Sequence, residues 1–313
     1  SIITKIYESY IENSTNSSTL EEKLKENLNE FQITNYVDGV KETHSDTKLT
    51  LSSAQNVGNK VRNSETLNNE DLKLIKILLT KAPLIFGYWG PFKSILKFLD
   101  PKLIPNEFGQ ALGRLAKTKG FSSSDIFNSN QDYSEPIDCE DIAWMNYFIP
   151  LPSQLTCNYM SRRMRRSLAE IGKKGDRLFT TIATNLLIKW DSNITYNSFL
   201  PAYILGGSDL VLNKKSRYVD TPFIQNFRKD AFSKLWNDDI TNINLILESV
   251  QNSVEVLTFC IQVLRENGQP KPELNEGNLI LALQSSDKQV VELVIPYIPD
   301  FPIIWNYIST EIW

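Results

Sequence analysis

The sequence predicts an all-α fold, an α–α superhelix of stacked helix pairs with an irregular helical N-terminal part. Two amphipathic stretches, Leu155–Ile171 and Arg177–Trp190, follow one another across a short turn. Two similar pairs come near the C-terminus, and their apolar residues recur at a spacing typical of helix-pair repeats. Because one amphipathic helix cannot hide its apolar face alone, consecutive helices must pack side by side. Such a stack offers an open surface, which favours binding over catalysis.

The composition indicates an ordinary globular protein. Of 313 residues, 41% are hydrophobic and 22% are charged, so the chain can bury the core of one elongated domain or two compact ones. The formal net charge of −4 argues against a protein whose whole surface follows nucleic acid, but it is compatible with a local basic face. The longest apolar stretch, Leu72–Leu99, is interrupted by lysines, so we expect no membrane span.

The cysteine and histidine content argues against several kinds of active site. Cys139, Cys157 and Cys260 are widely spaced without a CxxC motif, which favours buried free thiols in a reducing compartment and predicts a cytoplasmic protein. The one histidine, His44, lies in a polar run. A nucleophilic triad or a zinc site needs more imidazole or thiol groups brought together. We therefore expect no metal and no cofactor.

The N-terminal part is predicted to be helical and then polar. Thr19–Phe31 begins with a capping box, in which Thr19 precedes Glu22 by three residues, and Ile2–Ile11 is also helical. Lys41–Glu70 has few apolar positions, so we expect a long connection or a weakly ordered hairpin there. The predicted domains are therefore residues 1–64, an N-terminal helical segment with a polar connection, and residues 65–313, a helical-repeat domain.

The middle of the chain is predicted to contain three helices and an aromatic turn. Glu70–Leu79 and Phe108–Lys117 have helical apolar spacing, and Ser94–Leu99 is also helical until Pro101 and Pro105 end it. Between Glu70–Leu79 and Ser94–Leu99, Pro83–Phe92 (PLIFGYWGPF) has two interpretations. The favoured one is a tight buried turn whose rings fill the core, and the other is an aromatic platform for stacking a ligand.

Three carboxylates, Asp138, Glu140 and Asp141, precede the predicted helix Ile142–Phe148. One interpretation is a divalent-cation site. The favoured one is that acids in a first helical turn complement the helix macrodipole and cap its open amides.

The pair 155–190 has the clearest helical pattern. Met160, Met164, Leu168 and Ile171 fall within a narrow arc of one helical face. Arg162 and Arg166 point roughly opposite that arc, and Arg163 and Arg165 lie on its flanks. The next helix repeats the pattern, and we expect the two helices to pack on each other and on neighbours. Its apolar stripe consists of Leu178, Ile182, Leu186 and Trp190.

Two further pairs follow downstream. Asp239–Val250 pairs with Ser253–Glu266, and Asn278–Gln284 pairs with Asp287–Ile298. The tripeptide Leu-Ile-Leu at 245–247 recurs at 279–281, an offset of 34 residues, and valine and leucine positions recur at an offset of 36. Offsets in this range are typical of helix-pair solenoids.

The run YMSRRMRRSLAEI at 159–171, followed by residues 176–187, resembles the arginine-rich helix pair in HEAT-like regions of bacterial WGR-domain and molybdate-regulator-like proteins. LILALQSSDKQVVELV at 279–294 is similar to later repeats of the same regions. The resemblance covers about residues 150–298. It implies a HEAT-like helical-repeat scaffold within a larger bacterial assembly, and it implies no catalytic residues.

Seven cations lie between residues 162 and 177, against two acids, Glu170 and Asp176. They are Arg162, Arg163, Arg165, Arg166, Lys173, Lys174 and Arg177. The functional interpretation is a phosphate-contacting ridge, because guanidinium groups suit phosphate geometry. The alternative is that these side chains cover apolar flanks and pair with acids of the adjacent repeat. A weaker cluster follows at Lys214, Lys215, Arg217, Arg228 and Lys229.

These observations favour a non-catalytic scaffold or protein-interaction module with a protein partner. The alternative is a nucleic-acid-binding helical repeat that uses the arginine-rich face. A carboxylate-based enzyme using Asp138, Glu140 or Asp141 is the third hypothesis, so the sequence favours binding without excluding catalysis.

Overall fold

The fold comes from a computed structural model. It describes residues 49, 51–82, 84, 86–118, 152–191, 199–206, 230–269, 273–283, 291–292 and 294–300. Every regular element within these ranges is a helix, so the all-α prediction is confirmed. The α-helices are α1 Leu51–Arg62, α2 Asn69–Thr80, α3 Phe86–Phe98, α4 Pro105–Lys117, α5 Gln154–Lys173, α6 Leu178–Trp190, α7 Phe199–Gly206, α8 Ser233–Asn237, α9 Ile240–Ser249, α10 Val254–Glu266 and α11 Glu276–Leu283. The 3-10 helices are Pro101–Leu103 and Ile295–Asp300. Among the described helices, none has the length and apolar character needed to cross a membrane.

The chain divides into two compact units. The first comprises residues 1–104 and 118–160, and the second comprises residues 105–117 and 161–313. Several predicted features lie outside the described residues: the helices at 2–11 and 19–31, His44, Cys139, the acids at 138–141, the helix at 142–148 and the second basic cluster. The predicted domain boundary at residue 64 stays a prediction, because residues 1–48 of the N-terminal domain also lie outside the described residues.

Helix α1 of the first unit corrects the predicted polar connection. Residues 51–62 are helical, although Lys41–Glu70 was expected to be a connection or a hairpin. Ala54, Val57 and Val61 are buried, and their spacing of three and four residues places them on one helical face. These small apolar residues form the buried face of α1, although the polar composition of Lys41–Glu70 does not predict one.

Helix α2 confirms the helix predicted at 70–79 and has an N-terminal capping box. The Asp71 amide donates to Asn68 Oδ1 over 2.8 Å, and the Asn68 amide donates to Asp71 Oδ2 over 3.0 Å. Lys60 Nζ of α1 lies 2.8 Å and 3.0 Å from the two Asp71 carboxylate oxygens. The Lys60 ammonium and the Asn68 amide hold the pKa of Asp71 below its ordinary value. One buried carboxylate thus caps α2 and joins it to α1.

Helix α3 contains the aromatic segment that was predicted to be a tight turn. That prediction is wrong, because residues 86–98 are helical and Pro91 lies inside the helix. The expected burial of the rings is confirmed for Tyr88, Trp89 and Phe92. The Trp89 and Phe92 rings stack at 5.7 Å, and Tyr88 Oη donates to the Leu49 carbonyl over 3.2 Å. Burial of these large rings outweighs the cost of a proline in the second turn.

In the second unit, α4 and α6 approach until their backbones touch. A Cβ atom on Gly109 would collide with the Ile182 carbonyl oxygen, and one on Gly113 would lie 2.7 Å from the Leu186 carbonyl oxygen. Glycines four residues apart form a groove along α4 that accepts the backbone of α6. Helix α6 makes its most extensive contacts with α4, whereas the sequence predicted packing on α5 and on neighbours without naming α4.

An aromatic cluster anchors the C-terminal end of α5. The Phe232 ring lies where Gly172 of α5 would carry a Cβ atom, closer than any side chain permits. Phe232 also meets Phe179 of α6 edge to face, with ring centroids 4.9 Å apart. Trp236 of α8 packs edge to face on Phe179 at 5.9 Å and on Phe259 of α10 at 5.2 Å. The rings therefore fix α5, α6, α8 and α10 around one core.

Two polar side chains join the ends of helices in the second unit. Asp191, directly after α6, accepts hydrogen bonds from the backbone amides of Gln251, Asn252 and Ser253 at 3.0–3.2 Å. Buried Asn278 of α11 donates to the carbonyls of Leu247 and Val250 at 3.2 Å and 3.3 Å. These contacts satisfy helix-end groups that would otherwise lack partners.

The predicted downstream helices are confirmed at 240–249, 254–266 and 276–283, but the repeated tripeptides are not equivalent in burial. In the first copy Leu245 is 46% exposed, and Ile246 and Leu247 are buried. In the second copy Leu279 is buried. The recurrence of three letters therefore does not fix the same helical face, and the superhelical repeat remains a prediction. The predicted helix at 287–298 lies partly outside the described residues, and its end is the 3-10 helix Ile295–Asp300.

Candidate anionic-partner interface

The seven cations between Arg162 and Arg177, hereafter the basic ridge, lie on α5 and the turn after it. Met160, Met164 and Leu168 are buried, as their spacing predicted. Arg162 and Arg166 are exposed on the opposite face, and Arg163 and Arg165 are half-buried on its flanks. The predicted orientation of this helix is therefore confirmed.

Three cations form one row along the exposed face of α5. Arg162, Arg166 and Lys173 are separated by four and seven residues, so they fall within about 40° of one another around the helix axis. From Arg162 to Lys173 the row is about 16 Å long, at 1.5 Å per residue. A row of this length can contact several successive phosphates or carboxylates of an extended partner.

The ridge continues beyond the end of α5. Lys174 and Arg177 are exposed, and the turn is closed by hydrogen bonds from the Lys174 amide to the Ile171 carbonyl and from the Gly175 amide to the Gly172 carbonyl. The one acid within this turn, Asp176, accepts from the Leu178 amide over 3.0 Å. Its carboxylate therefore serves the N-terminus of α6.

The exposed ridge cations have no anionic partner among the described residues. Among all the described residues, the ion pairs are those of Lys60 with Asp71 and of Lys73 with Glu70, and both lie outside the ridge. The ridge has five exposed cations, and none of them has an ion pair or a side-chain hydrogen bond to described residues: Arg162, Arg166, Lys173, Lys174 and Arg177. Pairing with acids of an adjacent repeat, the structural alternative, is thus absent for these five within the described ranges.

Arg165 differs from the other ridge cations because two aromatic rings hold it. Its guanidinium carbon lies 5.5 Å from the Tyr203 ring centroid and 5.9 Å from the Phe199 ring centroid. Both rings belong to α7, one helical turn apart. Burial raises the pKa of Tyr203, and the nearby Arg165 charge partly opposes this. Both distances are within the range of a cation–π interaction, so the two rings favour this position of the guanidinium.

Sequence analysis missed α7 and its contact with Arg165. The helix is apolar on nearly every side, and six consecutive residues from Leu200 to Leu205 are buried, so it lacks the amphipathic period on which the other helices were recognised. The spacing of Phe199 and Tyr203, four residues apart, is the one sequence signal that predicts a shared helical face.

Two cysteines are buried, as predicted. Cys157 and Cys260 are free thiols within the described residues. Burial raises the pKa of Cys157 to about 12, and it raises the pKa of fully buried Cys260 as well. Neither thiol has the lowered pKa that a nucleophilic cysteine requires.

The described residues contain no group of three or more His, Cys, Asp or Glu side chains that could hold a metal ion. The three carboxylates at 138–141 lie outside the described residues, so the third functional hypothesis stays a prediction.

Comparisons with known proteins add no assignment: no family model, no curated protein and no solved structure matches the chain. The resemblance to HEAT-like bacterial regions therefore stays a prediction.

Proposed function

We propose that this chain is a non-catalytic helical scaffold of the bacterial cytoplasm, which docks an anionic partner on the basic ridge as part of a larger assembly. The observation that carries this proposal is the set of five exposed cations without a described anionic partner. Cations gathered on one helix repel one another, so a partner of opposite charge relieves that repulsion when it binds.

The packing beneath the ridge supports a docking role. Buried methionines and leucine hold one face of α5, and the Gly172–Phe232 contact fixes its end. The ridge backbone is therefore ordered before a partner arrives, and less conformational entropy is lost on docking. A protein with an acidic surface is the first partner class that this arrangement suits.

The test for a protein partner is affinity capture from a nuclease-treated bacterial lysate. Wild-type protein is compared with the double variant Arg162→Glu/Arg166→Glu and with Lys234→Glu, which reverses an exposed cation on α8. We expect an acidic protein that the wild type and Lys234→Glu retain and that the double variant loses. Equal capture by the double variant would contradict docking on the ridge.

Nucleic acid is the second candidate partner, and the predominance of arginine favours it. Five of the seven ridge cations are arginines: four lie within little more than one turn of α5, and Arg177 follows the helix. A guanidinium group can pair with phosphate through two hydrogen bonds. The chain's net charge of −4 confines any such contact to a local surface.

The salt dependence of binding tests this second candidate. Each phosphate neutralised in a duplex contributes about −0.9 to the slope of log affinity against log salt, and each in a single strand about −0.7. We expect Arg166→Ala to make the slope less steep by about one unit, whereas Lys234→Ala leaves it unchanged. Absence of measurable binding at low salt would exclude a nucleic-acid partner.

A further inference from the structure

We infer that the nucleic acid bound by the basic ridge is single-stranded, and that one unpaired base stacks on the guanidinium of Arg165. This inference rests on the second candidate function above and specifies its ligand. Three observations carry it: the ring-held arginine, its place beside the cation row, and its partial exposure.

The first observation is that two rings lie beside Arg165. The ring centroids of Tyr203 and Phe199 lie 5.5 Å and 5.9 Å from its guanidinium carbon. Tyr203 is 7% exposed and Phe199 is half-buried, so the packing of α7 holds the rings in place. A guanidinium is a planar group on which a base can stack, as it does on aromatic rings.

The second observation is that Arg165 lies beside the row, not within it. Around the helix axis Arg165 is about 60° from Arg162 and about 100° from Arg166, and along the axis it is within about 5 Å of both. The row therefore offers phosphate contacts while the flank offers a planar group. One nucleotide can place its phosphate on the row and turn its base toward Arg165.

The third observation is that Arg165 is half-buried, so part of its surface remains open to solvent. A base in a duplex already stacks between its neighbours and pairs with the other strand, and removing it costs a few kcal/mol. A base in a single strand is free to stack elsewhere. The Arg165 guanidinium therefore distinguishes single-stranded from duplex nucleic acid, whereas the row of charges contacts the phosphates of both.

Fluorescence anisotropy with labelled 20-nucleotide single-stranded DNA, single-stranded RNA and duplex DNA tests the inference. We expect the wild type to bind the single strands about tenfold more tightly than the duplex at the same salt concentration. Arg165→Lys keeps the charge but removes the planar group, so we expect it to lose most of that preference while duplex affinity stays within about twofold.

Two further variants separate stacking from charge and from folding. Phe199→Leu keeps apolar volume but removes one ring that holds Arg165, and we expect it to weaken single-strand binding about threefold to fivefold. Lys234→Ala is the matched control and is expected to change neither affinity. Thermal unfolding monitored by circular dichroism checks that each variant is folded.

The outcomes distinguish this inference from the function on which it rests. Equal affinity for single strand and duplex, with both lost in Arg162→Glu/Arg166→Glu, would overturn stacking at Arg165 and leave a phosphate-binding ridge. An equal loss of both affinities in Arg165→Lys would also overturn it. If neither ligand binds at low salt, the nucleic-acid function itself fails.

Discussion

The α4–α6 contact and the basic ridge use the surface of a helix in opposite ways. Along α4, Gly109 and Gly113 remove side chains so that the backbone of α6 can lie directly on the helix. Along the exposed face of α5, Arg162, Arg166 and Lys173 extend long side chains that meet no described anionic partner. The first surface is complete within the fold, whereas the second is the surface on which we propose that a partner docks.

This contrast shows where sequence variation is tolerated. A helix face packed against backbone has no room for one additional methyl group, because neither helix can move without disturbing others. A solvated face accepts almost any side chain without loss of stability. Substitutions in the first surface should therefore change the free energy of unfolding, and substitutions in the second should change binding.

The largest effect is expected from Gly109→Ala. Its new Cβ atom would collide with the Ile182 carbonyl oxygen and lie 2.7 Å from Asn185 Cβ, so α4 and α6 must separate. We expect a loss of about 3 kcal/mol in the free energy of unfolding, measured by urea denaturation. The matched control is Gln110→Ala on the same helix, which should change it by less than about 0.5 kcal/mol. A loss below about 1 kcal/mol for Gly109→Ala would contradict the backbone contact.

A second prediction compares a cation that has a partner with those of the ridge. Asp71→Asn leaves Lys60 without its carboxylate, and we expect a loss of about 2 kcal/mol near pH 7. Because the folded pKa of Asp71 lies below its ordinary value of 3.8, the ionised carboxylate stabilises the fold above that value. The contribution disappears as the pH falls through the folded pKa.

Urea denaturation of wild type and Asp71→Asn at about pH 7 and about pH 3 measures this dependence. The difference in unfolding free energy between the two proteins should shrink at the lower pH. A difference that stays constant would show that the Lys60–Asp71 charge interaction does not stabilise the fold.

A third prediction concerns the buried thiols. Burial keeps Cys157 and Cys260 protonated at pH 8, so alkylation by iodoacetamide in the folded protein should be slow at both residues. Peptide mass spectrometry after brief labelling, with and without denaturant, gives the protection at each cysteine. Rapid labelling of Cys157 in the folded state would indicate local opening of the first unit.

The smallest effect on stability is expected within the ridge. Arg162→Ala and Arg166→Ala remove no described ion pair, so each should change the unfolding free energy by less than about 0.5 kcal/mol. Thermal unfolding and urea denaturation measure this change. A loss above about 1 kcal/mol would mean that these arginines stabilise the fold through a contact, and the contrast with α4 would then disappear.

The all-helical fold class was predictable from the sequence, and so were the inward and outward faces of α5. Both follow from the 3.6-residue period of apolar positions. Helix α1 was missed because alanine and valine give a weak stripe in a polar sequence. The helical course of 86–93 was missed because glycine and proline usually mark turns, and here ring burial overrides them.

The partner of each helix could not be predicted in this way. Periodicity shows which face is buried but not which helix covers it, so the sequence did not single out α4 among the neighbours of α6. The pair Gly109 and Gly113 was the available signal, since glycines four residues apart permit close helix contact. The candidate site was predicted residue by residue for its charges, but the rings around Arg165 depend on α7, whose uniform apolarity hides its helical period.

The contact between Gly172 and the Phe232 ring has a kinetic consequence. Because the ring locks the last turn of α5, a partner that docks as we propose would meet a ridge that does not have to change shape, and the encounter itself would limit the speed of docking. We expect a bimolecular on-rate that falls steeply as ionic strength rises, without a slower concentration-independent phase. Gly172→Ala would displace the ring and introduce such a phase, so stopped-flow traces would show whether the ridge is rigid before it binds.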